Sequence, residues 1–172
     1  MPRLRPRALA CGANRRRTRF GGAILIARAM EMSRSPKAVL ESSLYVNDLP
    51  RAIAFYQSVL GLRKMDDFPG GRGAAFQVGS GPSVLLLFRA DMTLQGGTFP
   101  PHGTTGAGHV AFKVEPEEMD AWRRRLQEHG VLIERELVFR DSPPSIYFRD
   151  PEGNSLELAV STIWPFEKSS AE

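Results

Sequence analysis

From Pro36 onward the same order of elements is written twice, and this duplication constrains the fold more than any other feature. "AVLESSLYV" (38–46) reads as a strand with Leu40, Leu44 and Val46 on one face. "NDLPRAIAFYQSVLG" then reads as a helix. Asp48 caps it, Ile53, Tyr56 and Leu60 recur at helical spacing, and Gly61 ends it. Three strand-like runs follow, "LRKMDDF", "GAAFQVG" and "SVLLLF", separated by Gly and Pro clusters. The pattern then restarts with the strand "GHVAFKV" and the helix "PEEMDAWRRRLQEHG", which ends at Gly130. "VLIERELVF", "SIYFRD" and "SLELAV" complete the second set.

The order β-α-β-β-β occurring twice predicts an α+β fold of two paired βαβββ modules, 38–89 and 107–160, forming a curled mixed sheet around a cleft. The spacing of about 70 residues is too long for the common solenoid periods. Val46 aligns with Val114, Gly61 with Gly130, and Gly81 with Gly153. A Gly-, Thr- and Pro-rich linker (89–107) joins the halves, and connections of that length are often functional.

Charge separates the chain into a tail and a body. Residues 1–29 hold eight arginines and no acid or lysine, which leaves 15 basic against 19 acidic side chains from Met30 on. The body is therefore mildly acidic, with no reason to bind nucleic acid. The expected organisation is a disordered basic tail (1–35), one domain (36–165) and a short C-terminal tail (166–172). Translation starting at Met30 or Met32 is the preferred reading of the tail. The single cysteine, Cys11, excludes a disulfide framework within one chain. No apolar run reaches the ~18 residues of a membrane span. A cytoplasmic location without membrane contact is expected.

Strand alternation selects the candidate site. If Leu44 and Val46 face the helix, Glu41, Ser43 and Tyr45 face the other way; so do His109, Ala111 and Lys113 in the second module. In "SLELAV", Glu157 lies opposite Leu156 and Leu158. Aligning Gly81 with Gly153 makes Leu85 the counterpart of Glu157, and aligning Val46 with Val114 makes Glu41 the counterpart of His109. Two carboxylates and an imidazole, Glu41, Glu157 and His109, suit a divalent metal and leave positions open for water or substrate. Mn, Fe(II), Mg, Ni or Zn is expected. The competing reading makes both glutamates solvated strand residues and His109 a hydrogen-bonded one. His102 in the linker is a candidate acid–base group and Tyr147 a candidate donor to a bound oxyanion. Arg72 and Arg149 are weaker candidates for holding an anion. His129 is adequately placed by the helix dipole at its C-terminus.

"LYVNDLPRAIAFYQSVLGL" (44–62), "GHVAFKV" and "IYFRDPEGNSLEL" resemble, in order, the signature segments of the vicinal oxygen chelate superfamily. That superfamily includes glyoxalase I, extradiol dioxygenases, methylmalonyl-CoA epimerase, and the fosfomycin- and bleomycin-resistance proteins. The resemblance implies that His109 and Glu157 are metal ligands, with Glu41 where members usually carry histidine or glutamine. It also implies a homodimer and a small oxygen-bearing substrate. A ligand used by glyoxalase I and the epimerase is absent from the first module's last strand, where Leu85 was aligned. The expected activity is that of a metal-dependent lyase, isomerase or dioxygenase. The alternative is a metal-free, bleomycin-resistance-like protein that sequesters a small molecule.

Overall fold

The computed structural model describes residues 36–95 and 98–166, and the chain from Val39 onward forms one compact unit. The expected tail 1–35, with Cys11, Met30 and Met32, lies outside the described residues, as does most of the C-terminal tail. The first module runs β1 (Glu41–Val46), α1 (Leu49–Ser58), β2 (Arg63–Phe68), β3 (Gly73–Val78) and β4 (Ser83–Arg89). A one-turn helix, α2 (Ala90–Thr93), opens the linker. The second module runs β5 (His109–Lys113), α3 (Met119–Glu128), β6 (Ile133–Leu137), β7 (Ser145–Arg149) and β8 (Ser155–Ala159).

Each module makes one four-stranded mixed sheet, ordered β1-β4-β3-β2 and β5-β8-β7-β6. In both, the first strand pairs parallel with the last and the other neighbours are antiparallel. The duplicated architecture is thus the one the sequence predicts.

The helix boundaries follow local chemistry. Asp48 accepts a hydrogen bond from the Arg51 backbone N–H at 3.0 Å, satisfying a donor that the first turn leaves free. Before α3, the Glu115 and Glu118 side chains each receive the other's backbone N–H, a reciprocal capping box. Gly61 and Gly130, each just past a helix, both sit at φ +67°, where a β-carbon is unfavourable.

One apolar core serves both modules. Leu44, Val46, Tyr56, Phe76, Leu85 and Leu87 from the first join Phe112, Leu126, Phe148 and Leu158 from the second. At about 25 cal/mol per Å2 of apolar surface, burial of each large side chain stabilises by roughly 1.5–3 kcal/mol. Polar bonds between the modules fix how they meet. The buried Tyr56 hydroxyl donates to Asp150 at 2.9 Å, and the Arg125 guanidinium donates to the Val59 and Ser58 carbonyls. Glu152 accepts the backbone N–H groups of Asn47 and Asp48, which holds its carboxyl below the usual range. The sheet face opposite the core is open, and Glu41, Ser43, Ala111 and Lys113 on it are exposed.

Candidate metal centre

Glu157 is the charged residue that the core face does not explain. It lies in β8 between the buried Leu156 and Leu158, is only 5% exposed, and projects to the opposite face. Across the sheet it pairs with Ala111 on β5 and Tyr147 on β7. Its Oε1 is buried without a hydrogen-bond partner among the described residues. Its Oε2 stands 3.4 Å from the Nε2 of His109.

The other ring nitrogen of His109 decides how that contact reads. Nδ1 lies 3.1 Å from the Ser155 carbonyl oxygen, which can only accept. Nδ1 therefore carries the proton, and in the neutral ring the Nε2 lone pair faces the carboxylate. In that neutral state two electron-pair donors confront each other, which a cation between them would relieve; in the protonated state the contact is a His–Glu ion pair. Ligands bound at about 2.1 Å and at a tetrahedral angle sit about 3.4 Å apart, so the observed spacing fits a shared ion. A backbone carbonyl on the far nitrogen is also the usual way a ligating imidazole is oriented.

Tyr147 stacks beside His109, with ring centroids 6.3 Å apart and 19° between planes. Its hydroxyl is pushed up to about 12, first by burial and then by the neighbouring Glu157 carboxylate. It stays protonated near neutrality, with its proton directed toward the Glu157 carboxylate. Ser145, on the same face of β7, is fully buried with its Oγ unpartnered among the described residues. Sequence reading did not single it out, although alternation with Ile146 and Phe148 assigns it to this face.

Other candidates resolve differently. Glu41 starts β1 and is exposed; among the described residues no group of three His, Cys, Asp or Glu side chains is placed to hold a metal. One chain thus unites His109 with Glu157 but does not bring Glu41 to them. His102 Nδ1 and the Tyr45 hydroxyl are hydrogen-bonded at 2.7 Å, and the ring packs edge-on to Phe88. Arg149 is engaged by Glu134 and the Gly153 carbonyl, so it is a structural residue. The guanidinium of Arg72 lies over the Phe99 ring, with Nη2 buried and unpartnered among the described residues. His129 Nδ1 reaches the Arg125 carbonyl at the helix end, as its position predicts.

The assignment of Leu85 as the counterpart of Glu157 requires correction. Ser43 pairs with Leu86 across β1 and β4, as Ala111 pairs with Glu157 across β5 and β8. Leu85 is 1% exposed and belongs to the core. The turn between β3 and β4 spans residues 79–82, whereas that between β7 and β8 spans 150–154. Aligning the turn glycines ignores that one-residue difference, and one residue turns a strand over.

The family model for the glyoxalase/bleomycin resistance protein/dioxygenase superfamily matches residues 38–158. The chain belongs to this superfamily. Among its relatives, the metallothiol transferase FosB of Shouchella clausii is 40% identical over 120 residues, 69% of this chain and 76% of that one. The lactoylglutathione lyase of Salmonella typhimurium is 29% identical over 122 residues, 70% and 90% of the two chains. The crystal structure of a lactoylglutathione lyase from Agrobacterium tumefaciens is 34% identical, with a TM-score of 0.71. That match covers 77% of this chain and all of the other. Within the superfamily fold, the His109–Glu157 pair lies on the face opposite the packed core.

Proposed function

We propose that this superfamily member is a metal-dependent, glyoxalase- or dioxygenase-like enzyme acting on a small oxygen-bearing substrate. The observation that carries the reading is the buried Glu157 carboxylate, with one oxygen unpartnered and the other facing the Nε2 of His109. An uncompensated buried carboxylate costs several kcal/mol, and a divalent cation removes that cost. His109 and Glu157 would hold the ion. When bound, it would polarise a substrate oxygen and stabilise negative charge developing there.

The chain's own residues divide the remaining work. The Ser155 carbonyl fixes the ring of His109, and Tyr147 would turn its hydroxyl proton from Glu157 to a substrate oxygen. Glu41 is proposed as the third ligand, supplied by a second copy in a homodimer. Its support is its place in β1, equivalent to His109 in β5, on an exposed face not gathered with the pair in one chain. The metal is Mn, Fe(II), Mg, Ni or Zn, and the domain proper is 36–165. Among the described residues no helix is long and apolar enough to cross a membrane, and a cytoplasmic location is proposed.

The names of the relatives supply the first assays, lactoylglutathione lyase activity and metal-dependent thiol transfer. A chelator should abolish turnover and one divalent ion should restore it. Activity unaffected by a chelator would refute the reading. The rival, a metal-free binding protein, draws on the aromatic side chains of the first sheet. It predicts tight binding without turnover or bound metal.

A further inference from the structure

Away from Glu157, the open face of the first sheet carries a cluster of rings that the metal-centred chemistry does not use. Phe68 and Phe88 stack at 5.3 Å and 23°, and Tyr45 stacks on Phe88 at 6.4 Å and 29°. Gly73 lies between Phe68 and Phe88 in the strand pairing. A β-carbon there would clash with the Leu87 carbonyl and meet Phe88 at 2.9 Å and Phe68 at 3.0 Å. The stacked pair therefore depends on this position being glycine. All three rings are only half-buried, on the face that also carries Glu41 and Ser43.

His102 reaches this surface from the linker. Its backbone N–H donates to the Thr93 carbonyl, and its ring meets Phe88 at 4.9 Å, edge to face. The Tyr45 hydroxyl, 2.7 Å from Nδ1, has a raised pKa because of burial. When that hydroxyl donates, the neutral His102 ring carries its proton on Nε2. That nitrogen has no hydrogen-bond partner among the described residues. A stacked aromatic surface and the outer nitrogen of an oriented imidazole are thus set side by side.

We propose that Tyr45, Phe68, Phe88 and His102 form a recognition subsite for the planar apolar group of an oxygen-bearing substrate, in which the Tyr45 hydroxyl donates to His102 Nδ1 and His102 Nε2–H donates to one of the substrate's oxygens. Tyr45 is the positioning residue, since it selects the tautomer that leaves Nε2 as donor. The inference rests on the metal-centred reading for the substrate's chelating end; the ring contacts stand independently of it. The substrate class is an aromatic or otherwise flat compound with adjacent oxygens, not a short aliphatic one.

Mandelate and lactate share a hydroxyl beside a carboxylate and differ in a phenyl against a methyl. Calorimetric titration of the full chain with each, with and without Mn2+, tests the subsite. Mandelate should bind at least about tenfold more tightly in both forms, the scale of one favourable ring stack alone. Phe88→Leu should erase that preference and bring the two affinities together. Tyr45→Phe should retain the phenyl preference but weaken both ligands, and nitrogen NMR should show the His102 proton shared between Nδ1 and Nε2. Equal affinities for the two acids, or a phenyl preference that survives Phe88→Leu, would overturn the proposal. A phenyl preference that persists while Mn2+ changes neither affinity would keep the subsite and remove the metal-centred reading.

Discussion

Leu86 stands on β4 where Glu157 stands on β8: each lies across from the same position of its module's first strand, Ser43 and Ala111 respectively. The two modules thus share a scaffold and differ in whether the last strand offers a carboxylate. Leu86→Glu should supply a further ligand and tighten divalent-metal binding by at least about tenfold, read by metal titration. Leu85→Glu, one residue away, should instead bury a charge in the core and cost several kcal/mol in urea denaturation. If both variants fold and bind metal like the parent, the assigned strand register is wrong.

Tyr56 ties the first helix to the turn before β8 through Asp150, which also receives N–H groups from Glu152 and Asn154. Tyr56→Phe removes one bond to a buried carboxylate and keeps the ring. Hydrogen bonds to charged groups contribute about 1.5–3 kcal/mol, and the loss should appear as a lowered urea midpoint at constant slope. Metal affinity should not move, because this bond lies on the core side.

Tyr147 supplies a pH signature. Its folded value, about 12, exceeds the ordinary 10.0, so the native state holds this proton more tightly than the unfolded chain. Its contribution to stability is complete below pH 10 and is lost as pH rises toward 12. Absorbance titration of phenolate formation should show this tyrosine ionising late. Glu157→Gln should bring its midpoint down while leaving it above 10.0, because burial remains when the charge is gone. A midpoint unchanged by that substitution would separate Tyr147 from Glu157.

Much of the scaffold was legible in local chemistry. Caps at Asp48, Gly61 and Gly130 and the alternation of Leu156, Glu157 and Leu158 act over a few residues, so the strands and the face of Glu157 followed from them. The error at Leu85 arose where two turns differ by one residue, a difference that glycine alignment hides. Contacts set by packing were not legible: Tyr45 and His102 meet across 57 residues of chain through the path of the linker. Alternation likewise assigned Glu41 to the open face but carried no information on which chain it would serve.

The proposed dimeric site can be tested by mixing variants. Glu41→Gln and His109→Ala should each lack activity as homodimers. Co-expressed, they should regain activity, because a mixed dimer contains one site with Glu41 from one protomer and His109 and Glu157 from the other. Failure to complement in a confirmed mixed dimer would place all the ligands in one chain.

The central claim is that His109 and Glu157 hold one divalent ion. Metal content per chain, measured on tag-free protein after dialysis against Mn2+, tests it most directly. The wild type should retain about one ion per chain, His109→Ala none, and Glu157→Gln a weakly held fraction, with metal-free Glu157→Gln melting above the metal-free wild type because the buried charge is gone. A wild type that retains no ion, or a His109→Ala variant that retains as much as the wild type, would contradict the account.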